Sequence, residues 1–121
     1  LLISSSFNAY IFKNNGSDVW TKQQTISVTA VNESTEISDL ALSGDYAVLG
    51  VRNAFRDVSG ANLLSDAGAA YIFEKNNAES WIYKQKIIAN DRRAYDYFGT
   101  SVALSGNKLV IGAEGGDYQG E

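Results

Sequence analysis

The sequence predicts an all-β protein built from repeated units. Two observations carry this prediction. Short apolar runs are separated by turn-forming residues, and the sequence repeats itself after about 61 residues. No stretch shows a sustained apolar period of 3.6 residues, which an amphipathic helix would require. The chain of 121 residues has room for one small domain, and its apolar fraction of 45% is sufficient to form a core.

The repeat is visible at several separated places in one register. In one part of the unit the copies are offset by 61 residues, and the matching segments are Tyr10-Ile11-Phe12 with Tyr71-Ile72-Phe73, Trp20 with Trp81, and Leu2-Ile3-Ser4 with Leu63-Leu64-Ser65. In the other part the offset is 62, and Leu40-Ala41-Leu42-Ser43-Gly44 matches Val102-Ala103-Leu104-Ser105-Gly106. Agreement at so many places indicates true repeats, with one residue inserted between the two parts.

Each unit is predicted to contain four short strands. In the complete copy these are Leu40 to Ser43, Ala47 to Gly50, Ala69 to Phe73 and Trp81 to Ile88. The first two strands are joined by a tight turn at Ser43-Gly44-Asp45-Tyr46. The corresponding strands of the next copy are apolar at consecutive positions, which predicts burial on both faces. Because Trp20 and Trp81 recur in register with Tyr10 and Tyr71, packing in a core is favoured over carbohydrate stacking.

This strand assignment divides the chain into three parts. Residues 1–36 are predicted to hold the last two strands of one unit and a connection, residues 37–89 a complete four-stranded unit, and residues 90–121 the first two strands of a third. Repeat units need neighbours to bury their faces. We therefore expect the 121-residue chain to be marginally stable or prone to aggregation.

A family resemblance adds to this reading. Phe98-Gly99, Val102-Ala103-Leu104-Ser105-Gly106, Leu109-Val110-Ile111-Gly112-Ala113 and the earlier Ala70-Tyr71-Ile72-Phe73 together resemble the FG-GAP repeat in its bacterial-type variety. The resemblance implies a β-propeller with antiparallel four-stranded blades, here one complete blade flanked by two half blades. Glu36-Ile37 stands where the next copy has Phe98-Gly99, so the earlier copy departs from the pattern.

The resemblance also implies a biological setting. It suggests a seven-bladed propeller like the ligand-binding head of integrin α subunits, which belongs to adhesion proteins that are secreted or on the cell surface. Blades of those heads can bind calcium in an acidic loop between the first two strands. Here that connection is only Ser43-Gly44-Asp45-Tyr46 or Ser105-Gly106-Asn107-Lys108, which lacks the several oxygen ligands that calcium needs. We therefore predict no metal and no cofactor, although calcium remains possible in the full-length family.

Composition limits the chemistry available. Cysteine and histidine are absent, so thiolate nucleophiles, disulfides and histidine-based triads or metal sites are excluded. The net charge is −4, with no basic stripe, which argues against nucleic acid as a partner. No apolar run approaches the roughly 18 residues that span a membrane.

One loop has the composition of a ligand-contact site. Arg and Tyr are enriched at binding hot spots, and both occur in the segment 91–97. The candidate contact residues are Arg92, Arg93, Tyr95, Asp96 and Tyr97. The alternative is a solvated connection between blades, which is the base expectation for such a loop. A cation site at Glu114, Asp117 and Glu121 is disfavoured against a solvated acidic turn, because the intervening glycines form no preformed cage.

Three functions are compatible with the sequence. The favoured one is a non-catalytic extracellular or cell-surface module that binds protein or glycan ligands through inter-strand loops and packs against the remaining blades of the same chain. A hydrolase-like enzyme on a propeller scaffold is the first alternative, with Asp91 and Asp96 as its nearest candidate carboxylates. A structural spacer in a large surface protein is the second. Fold alone does not choose among them.

Overall fold

The chain is an all-β protein in the computed structural model, which describes residues 2–5, 7–31 and 33–115. Within these ranges there is no α-helix, and Val28–Val31 form a short 3-10 turn. The strands are β1 (Leu2–Ser5), β2 (Asn8–Asn14), β3 (Trp20–Ser27), β4 (Asp39–Ser43), β5 (Tyr46–Val51), β6 (Ala69–Lys75), β7 (Trp81–Ile87), β8 (Phe98–Ser105) and β9 (Lys108–Ala113).

These strands form three antiparallel sheets. The first sheet has the order β1-β2-β3, the middle sheet β4-β5-β6-β7 and the last sheet β8-β9. Within each sheet consecutive strands pair, as they do in the blades of a propeller. The sheets are compatible with a β-propeller fragment. The boundaries between repeat units at residues 36 and 89 remain predictions that rest on the repeat alignment.

The middle sheet packs between the other two. On one side its residues Leu49, Tyr71 and Phe73 share a core with Ala9 and Ile11 of the first sheet. On the other side a smaller cluster joins it to the last sheet, and the members of that cluster are Val48, Ala70, Val102 and the partly buried Ala41, Ile72, Phe98, Leu104, Leu109 and Ile111. Adjacent residues of a middle-sheet strand therefore contact different sheets, because successive side chains of a strand point to opposite faces.

The predicted hairpin turn is confirmed. Ser43 lies opposite Tyr46, and Ser105 lies opposite Lys108, so two residues connect each pair of strands. Gly44 and Gly106 occupy the first central position with φ of 56° and 58°. A two-residue hairpin of the II′ type places a glycine with positive φ at this position.

The structure contains a strand that the sequence analysis did not predict. Leu2, Ile3 and Ser4 of β1 lie opposite Ile11, Tyr10 and Ala9. In the middle sheet, Val48-Leu49-Gly50 lies opposite the equivalent positions of β6. Leu2-Ile3-Ser4 is thus the counterpart of Val48-Leu49-Gly50. Its predicted match with Leu63-Leu64-Ser65 is wrong, since residues 63–65 lie in the loop between β5 and β6.

Burial differs between equivalent strands. Every residue of β5 from Ala47 to Val51 is buried, but the side chain of Val110 on β9 is 68% exposed. The prediction that both faces of the last hairpin are buried is therefore wrong for the described residues. One face of β8-β9 packs on the middle sheet, and no described residue covers the other.

Phe98-Gly99 lies at the contact between the middle and last sheets. The amide of Phe98 donates to the carbonyl of Ala67 at 3.0 Å. Gly99 has a φ of +96°, and a Cβ atom there would lie 2.3 Å from the carbonyl oxygen of Ala69. Only a glycine fits, because both the backbone conformation and the space exclude a side chain.

Candidate functional site

The connection between β5 and β6, residues 52–68, is an ordered loop. Its central turn is organised by Asp57, whose carboxylate accepts hydrogen bonds from the Ser59 hydroxyl at 2.7 Å and the Ala61 amide at 2.9 Å. The Asn62 side chain donates to the other carboxylate oxygen. These bonds, that from the Ser59 hydroxyl first, hold the pKa of Asp57 well below its ordinary value. The carboxylate thus forms hydrogen bonds within its own loop, as is common for aspartate in turns.

The connection between β7 and β8, residues 88–97, lies against this loop. The Arg92 guanidinium donates to the carbonyl of Asn62 at 2.8 Å and to that of Phe55 at 3.2 Å. The amide of Tyr95 donates to the carbonyl of Ser65 at 2.7 Å. The two connections therefore form one surface, here called the loop face, which comprises residues 52–68 and 88–97.

Asp96 and Tyr97 hold the second connection in place. Asp96 is buried, and one of its carboxylate oxygens accepts the Arg93 amide at 2.8 Å. The amide of Tyr97 donates to the carbonyl of Asp66 at 2.9 Å. Tyr95 and Tyr97 both have positive φ, at 65° and 56°. This left-handed backbone is uncommon for non-glycine residues, and it turns the Tyr95 side chain to solvent while its amide faces inward.

A cleft of about 380 Å³ opens between the two connections, and its lining residues are Phe55, Leu63, Ser65, Asp66 and Tyr95. Leu63 and Tyr95 are 63% and 57% exposed and supply apolar surface. Asp66 supplies charge, and one of its carboxylate oxygens accepts the Asn53 side-chain amide at 3.0 Å. The arrangement combines aromatic and aliphatic surface with polar groups of Ser65 and Asp66, so the cleft is mixed in character rather than predominantly apolar.

The five residues predicted to contact a ligand have different positions. Tyr95 lines the cleft and is exposed, and Arg93 is also exposed. Arg92 is half-buried, with its guanidinium bonded to the neighbouring loop. Asp96 is buried and Tyr97 is half-buried. Whether any of them contacts a ligand stays a prediction.

The longer loop contributes cleft residues that were not predicted from the sequence. Phe55, Leu63 and Asp66 line the cleft but lie 29 or more positions before Tyr95. The adjacent apolar residues Leu63 and Leu64, within a segment of turn formers, were a possible signal. Their similarity to Leu2-Ile3 favours an internal repeat instead. Proximity to Tyr95 follows only from the packing of the two loops.

The described residues show no group of three acidic side chains that could hold a metal ion. Asp117 and Glu121 of the disfavoured cation site lie outside the described residues, and Glu114 is bonded to Arg52 at 3.4 Å. Of the two carboxylates considered for catalysis, Asp91 is exposed, whereas Asp96 is buried and accepts a main-chain amide. Among the residues that the structure describes, none forms a helix with the length and apolar character needed to cross a membrane.

A family comparison agrees with the repeat found in the sequence. Residues 81–121 match the family model of the FG-GAP repeat. This segment is therefore similar to an FG-GAP repeat. The match covers about a third of the chain and includes β7, β8 and β9. No curated protein and no solved structure matches the chain.

The FG-GAP match relates the repeat to the blades of a propeller. FG-GAP repeats are typically non-catalytic, propeller-type interaction modules that pack against other blades of the same chain, and they occur in extracellular and surface proteins. Phe98-Gly99, which corresponds to the Phe-Gly pair in the name of the repeat, lies at the contact between the middle and last sheets. The loop face is built from the connections on either side of β6-β7, the outer hairpin of the middle sheet.

Proposed function

We propose that this chain is a non-catalytic interaction module of an extracellular or cell-surface, integrin-like adhesion protein, and that it binds a protein or glycan ligand through the loop face. The observation that carries the proposal is the cleft between Leu63 and Tyr95, which presents exposed apolar side chains from two loops bonded to each other. Exposed tyrosine in an ordered site is typical of binding hot spots.

Rigidity supports the proposal. Arg92 is bonded to two carbonyls of the neighbouring loop, and Asp57 holds the turn of that loop through several hydrogen bonds. A surface that is ordered before binding loses less conformational entropy when a ligand arrives. The loop face is therefore suited to recognition of a ligand without rearrangement.

The test is a comparison of four proteins on arrays of extracellular proteins and of glycans. These are the wild-type chain, Leu63→Ser, Tyr95→Ala and the control Ile82→Ser, which changes an exposed aliphatic residue of β7 outside the loop face. A ligand of the wild type should lose about 30-fold in affinity on truncation of a hot-spot side chain. The control should retain the wild-type affinity.

Two results would contradict the proposal. The first is the absence of any ligand on both arrays, which would favour the structural spacer. The second is a ligand whose affinity falls equally in the control and in the loop-face variants. Circular dichroism of each variant establishes that the fold is retained before affinities are compared.

A further inference from the structure

The turn between β2 and β3 places an asparagine directly before a glycine. It contains the sequence Asn14-Asn15-Gly16, and residues 15–19 are all exposed. Gly16 has a φ of +90°, and a Cβ atom there would meet no heavy atom within 4 Å. Because glycine has no Cβ atom, its main-chain nitrogen can approach the preceding side chain without hindrance. The side-chain amide of Asn15 is therefore open to attack by the nitrogen of Gly16.

The Asn15 side chain is held with hydrogen-bond donors on its oxygen. Its Oδ1 accepts the amide of Ser17 at 2.7 Å and the amide of Val19 at 3.4 Å. When a nucleophile attacks Cγ, negative charge develops on this oxygen. Main-chain donors that already point at such an oxygen stabilise the transition state, as in the oxyanion holes of enzymes. The turn therefore favours attack at Cγ of Asn15.

The attacking nitrogen also has a suitable partner. The amide of Gly16 donates to the side-chain Oδ1 of Asn14 at 2.7 Å. An acceptor on this N–H group draws its proton away from the nitrogen and makes the nitrogen a better nucleophile. Nucleophile, carbonyl carbon and oxyanion donors thus lie together in one exposed turn.

We propose that Asn15 is a self-modification site, at which the turn promotes deamidation to aspartate or isoaspartate. Hydroxide removes the proton of the Gly16 amide, and the nitrogen forms a bond to Cγ of Asn15. The bond from Cγ to Nδ2 breaks, and Nδ2 takes a proton from water and leaves as ammonia. The product of this step is a five-membered succinimide ring, and its formation is faster at higher pH because hydroxide is consumed.

Water then opens the ring. Addition of water at Cγ breaks the bond to the Gly16 nitrogen and gives aspartate. Addition at the main-chain carbonyl carbon of residue 15 breaks the other bond to that nitrogen and gives isoaspartate, in which the chain continues through Cγ. The sum is replacement of ammonia by water, so no oxidant, reductant or cofactor takes part.

The turn between β6 and β7 provides an internal comparison. Asn76 lies 61 residues after Asn15, and its Oδ1 accepts the amides of Ala78 and Ser80, both at 2.9 Å. Asn77 stands in place of the glycine, and Lys75, whose side chain has no acceptor, stands in place of Asn14. This second turn therefore has the oxyanion donors without the activated nucleophile.

The second turn also shows that exposure belongs to the position. Asn76 and Asn77 are exposed although their sheet packs between two others. Exposure at the tip of such a hairpin thus persists when both faces of the sheet are covered. The two turns differ in the residues around the asparagine, and solvent access does not distinguish them.

The fold already contains an aspartate in the role that the product would take. One oxygen of Asp57 accepts the amides of Ser59 and Ala61, both at 2.9 Å, two and four positions later, as Asn15 does in its own turn. An aspartate at position 15 therefore fits the same turn. Isoaspartate adds a main-chain atom and displaces it. Either product makes the net charge of −4 more negative by one and places that charge near Asp18.

The first experiment compares the folded chain of 121 residues with the same chain unfolded in guanidinium chloride, at one pH and temperature. Peptide mass spectrometry follows the mass increase of about one dalton at each asparagine. Asn15 should convert roughly 2- to 10-fold faster in the folded chain, the effect of one or two ordinary hydrogen bonds. Asn76 should stay unchanged over the same period in the folded chain.

The second experiment removes the acceptor from one turn and builds it into the other. Asn14→Ala should slow conversion of Asn15 by roughly 2- to 10-fold. Asn77→Gly should make Asn76 reactive, and adding Lys75→Asn should accelerate it further. These residues lie in or beside exposed turns, so the sheets should be retained, and circular dichroism verifies this.

Three outcomes overturn the proposal. The first is conversion of Asn15 that is no faster in the folded than in the unfolded chain, because the turn then protects the side chain or has no effect. The second is an Asn14→Ala variant that converts at the wild-type rate. The third is conversion of Asn76 in the wild type as fast as that of Asn15, which would make the neighbouring residues irrelevant.

Discussion

The side chain of Gln24 pairs with both main-chain groups of Trp81, accepting from its amide at 2.7 Å and donating to its carbonyl at 2.9 Å. Gln24 belongs to the first sheet and Trp81 to the middle sheet, 57 residues later. This two-bond contact sets the position of one sheet on the next, and it places the Trp81 side chain in the shared core. A side-chain amide suits the role because it has both a donor and an acceptor.

Replacement of Gln24 by alanine should lower the free energy of unfolding by about 1–3 kcal/mol, because both Trp81 main-chain groups lose a partner. The matched control is Gln85→Ala, at the equivalent position one repeat later, where the side chain is exposed. Its effect should stay within about 0.5 kcal/mol. Urea denaturation at low protein concentration measures both. Equal effects of the two variants would mean that the contact with Trp81 contributes nothing.

Replacement of Gly99 by alanine should lower the free energy of unfolding by more than Gln24→Ala does. The new Cβ would lie 2.3 Å from the carbonyl oxygen of Ala69, and the φ of +96° disfavours any side chain. Backbone strain and overpacking together predict a loss of roughly 2–5 kcal/mol. Gly106→Ala is the control, since φ there is also positive but no atom lies within 4 Å of the new Cβ. It should cost only about 1–2 kcal/mol, so a similar loss for both would exclude crowding as the cause.

Removal of the Tyr71 hydroxyl should destabilise the connection between the first and middle sheets. Tyr71 donates to the buried carboxylate of Glu33 at 2.6 Å, and Glu33 also accepts the Thr35 hydroxyl at 2.9 Å. Tyr71→Phe leaves one carboxylate oxygen without this partner and should cost about 1–3 kcal/mol. Tyr83→Phe, which removes the hydroxyl of an exposed residue of β7, should change the stability by less than about 0.5 kcal/mol. Thermal or chemical unfolding of both variants measures the difference.

The same hydroxyl predicts a dependence of stability on alkaline pH. Burial, and then the hydrogen bond to Glu33, raise the pKa of Tyr71 above its ordinary value of 10.0. The folded state therefore retains this proton after the unfolded state has lost it. The resulting stabilisation is fully present below about pH 10 and declines as the pH rises further.

The measurement is the stability difference between wild type and Tyr71→Phe from pH 8 to about pH 11. This difference should shrink above pH 10. Burial lowers the pKa of Lys86, which acts in the opposite direction, but Lys86 is present in both proteins and largely cancels. A difference that stays constant with pH would show that Tyr71 ionises alike in the folded and unfolded states.

Replacement of Arg92 by alanine should loosen the loop face without unfolding the sheets. The guanidinium joins the carbonyls of Phe55 and Asn62 to the opposite loop. We expect faster hydrogen exchange at the amides of Leu64 and Tyr95, which bond within the loop face, and unchanged exchange at Leu49 in the middle sheet. Asn90→Ala, an exposed change in the same loop, should leave all three rates unaltered. Equal exchange in both variants would assign Arg92 no ordering role.

Much of the fold could be predicted from local patterns. The hairpin turn at Gly44 and its copy at Gly106 follow from two-residue turn chemistry, and the repeated Trp81 strand follows from periodicity. The strand β1 could not, because Leu2-Ile3-Ser4 matches a loop segment in sequence but a strand in pairing register. The long loop has no counterpart between β1 and β2, so a constant offset misaligns this part of the repeat.

The candidate site was less predictable. Tyr95 could be found from loop composition, but Leu63 and Phe55 could not, since only the bonds of Arg92 and Tyr95 bring the two loops together. The hydrogen bonds of Arg92 to the neighbouring loop were not predicted from the sequence, and its contact with a ligand stays a prediction. A guanidinium in a Tyr-rich loop suggests ligand contact, whereas its donors are here directed at main-chain carbonyls of the neighbouring loop.

The sequence by itself determined that this chain is a repetitive all-β protein whose last unit resembles the FG-GAP repeat, because turn residues, strand alternation and internal repetition are local properties. The tertiary structure decided which equivalent residues are buried. Trp20 and Trp81 occupy equivalent positions of the repeat and have the same strand register, yet one is 50% exposed and the other 5%. The physical reason is that burial of a sheet face depends on a second sheet, and a strand's own sequence does not contain its neighbour.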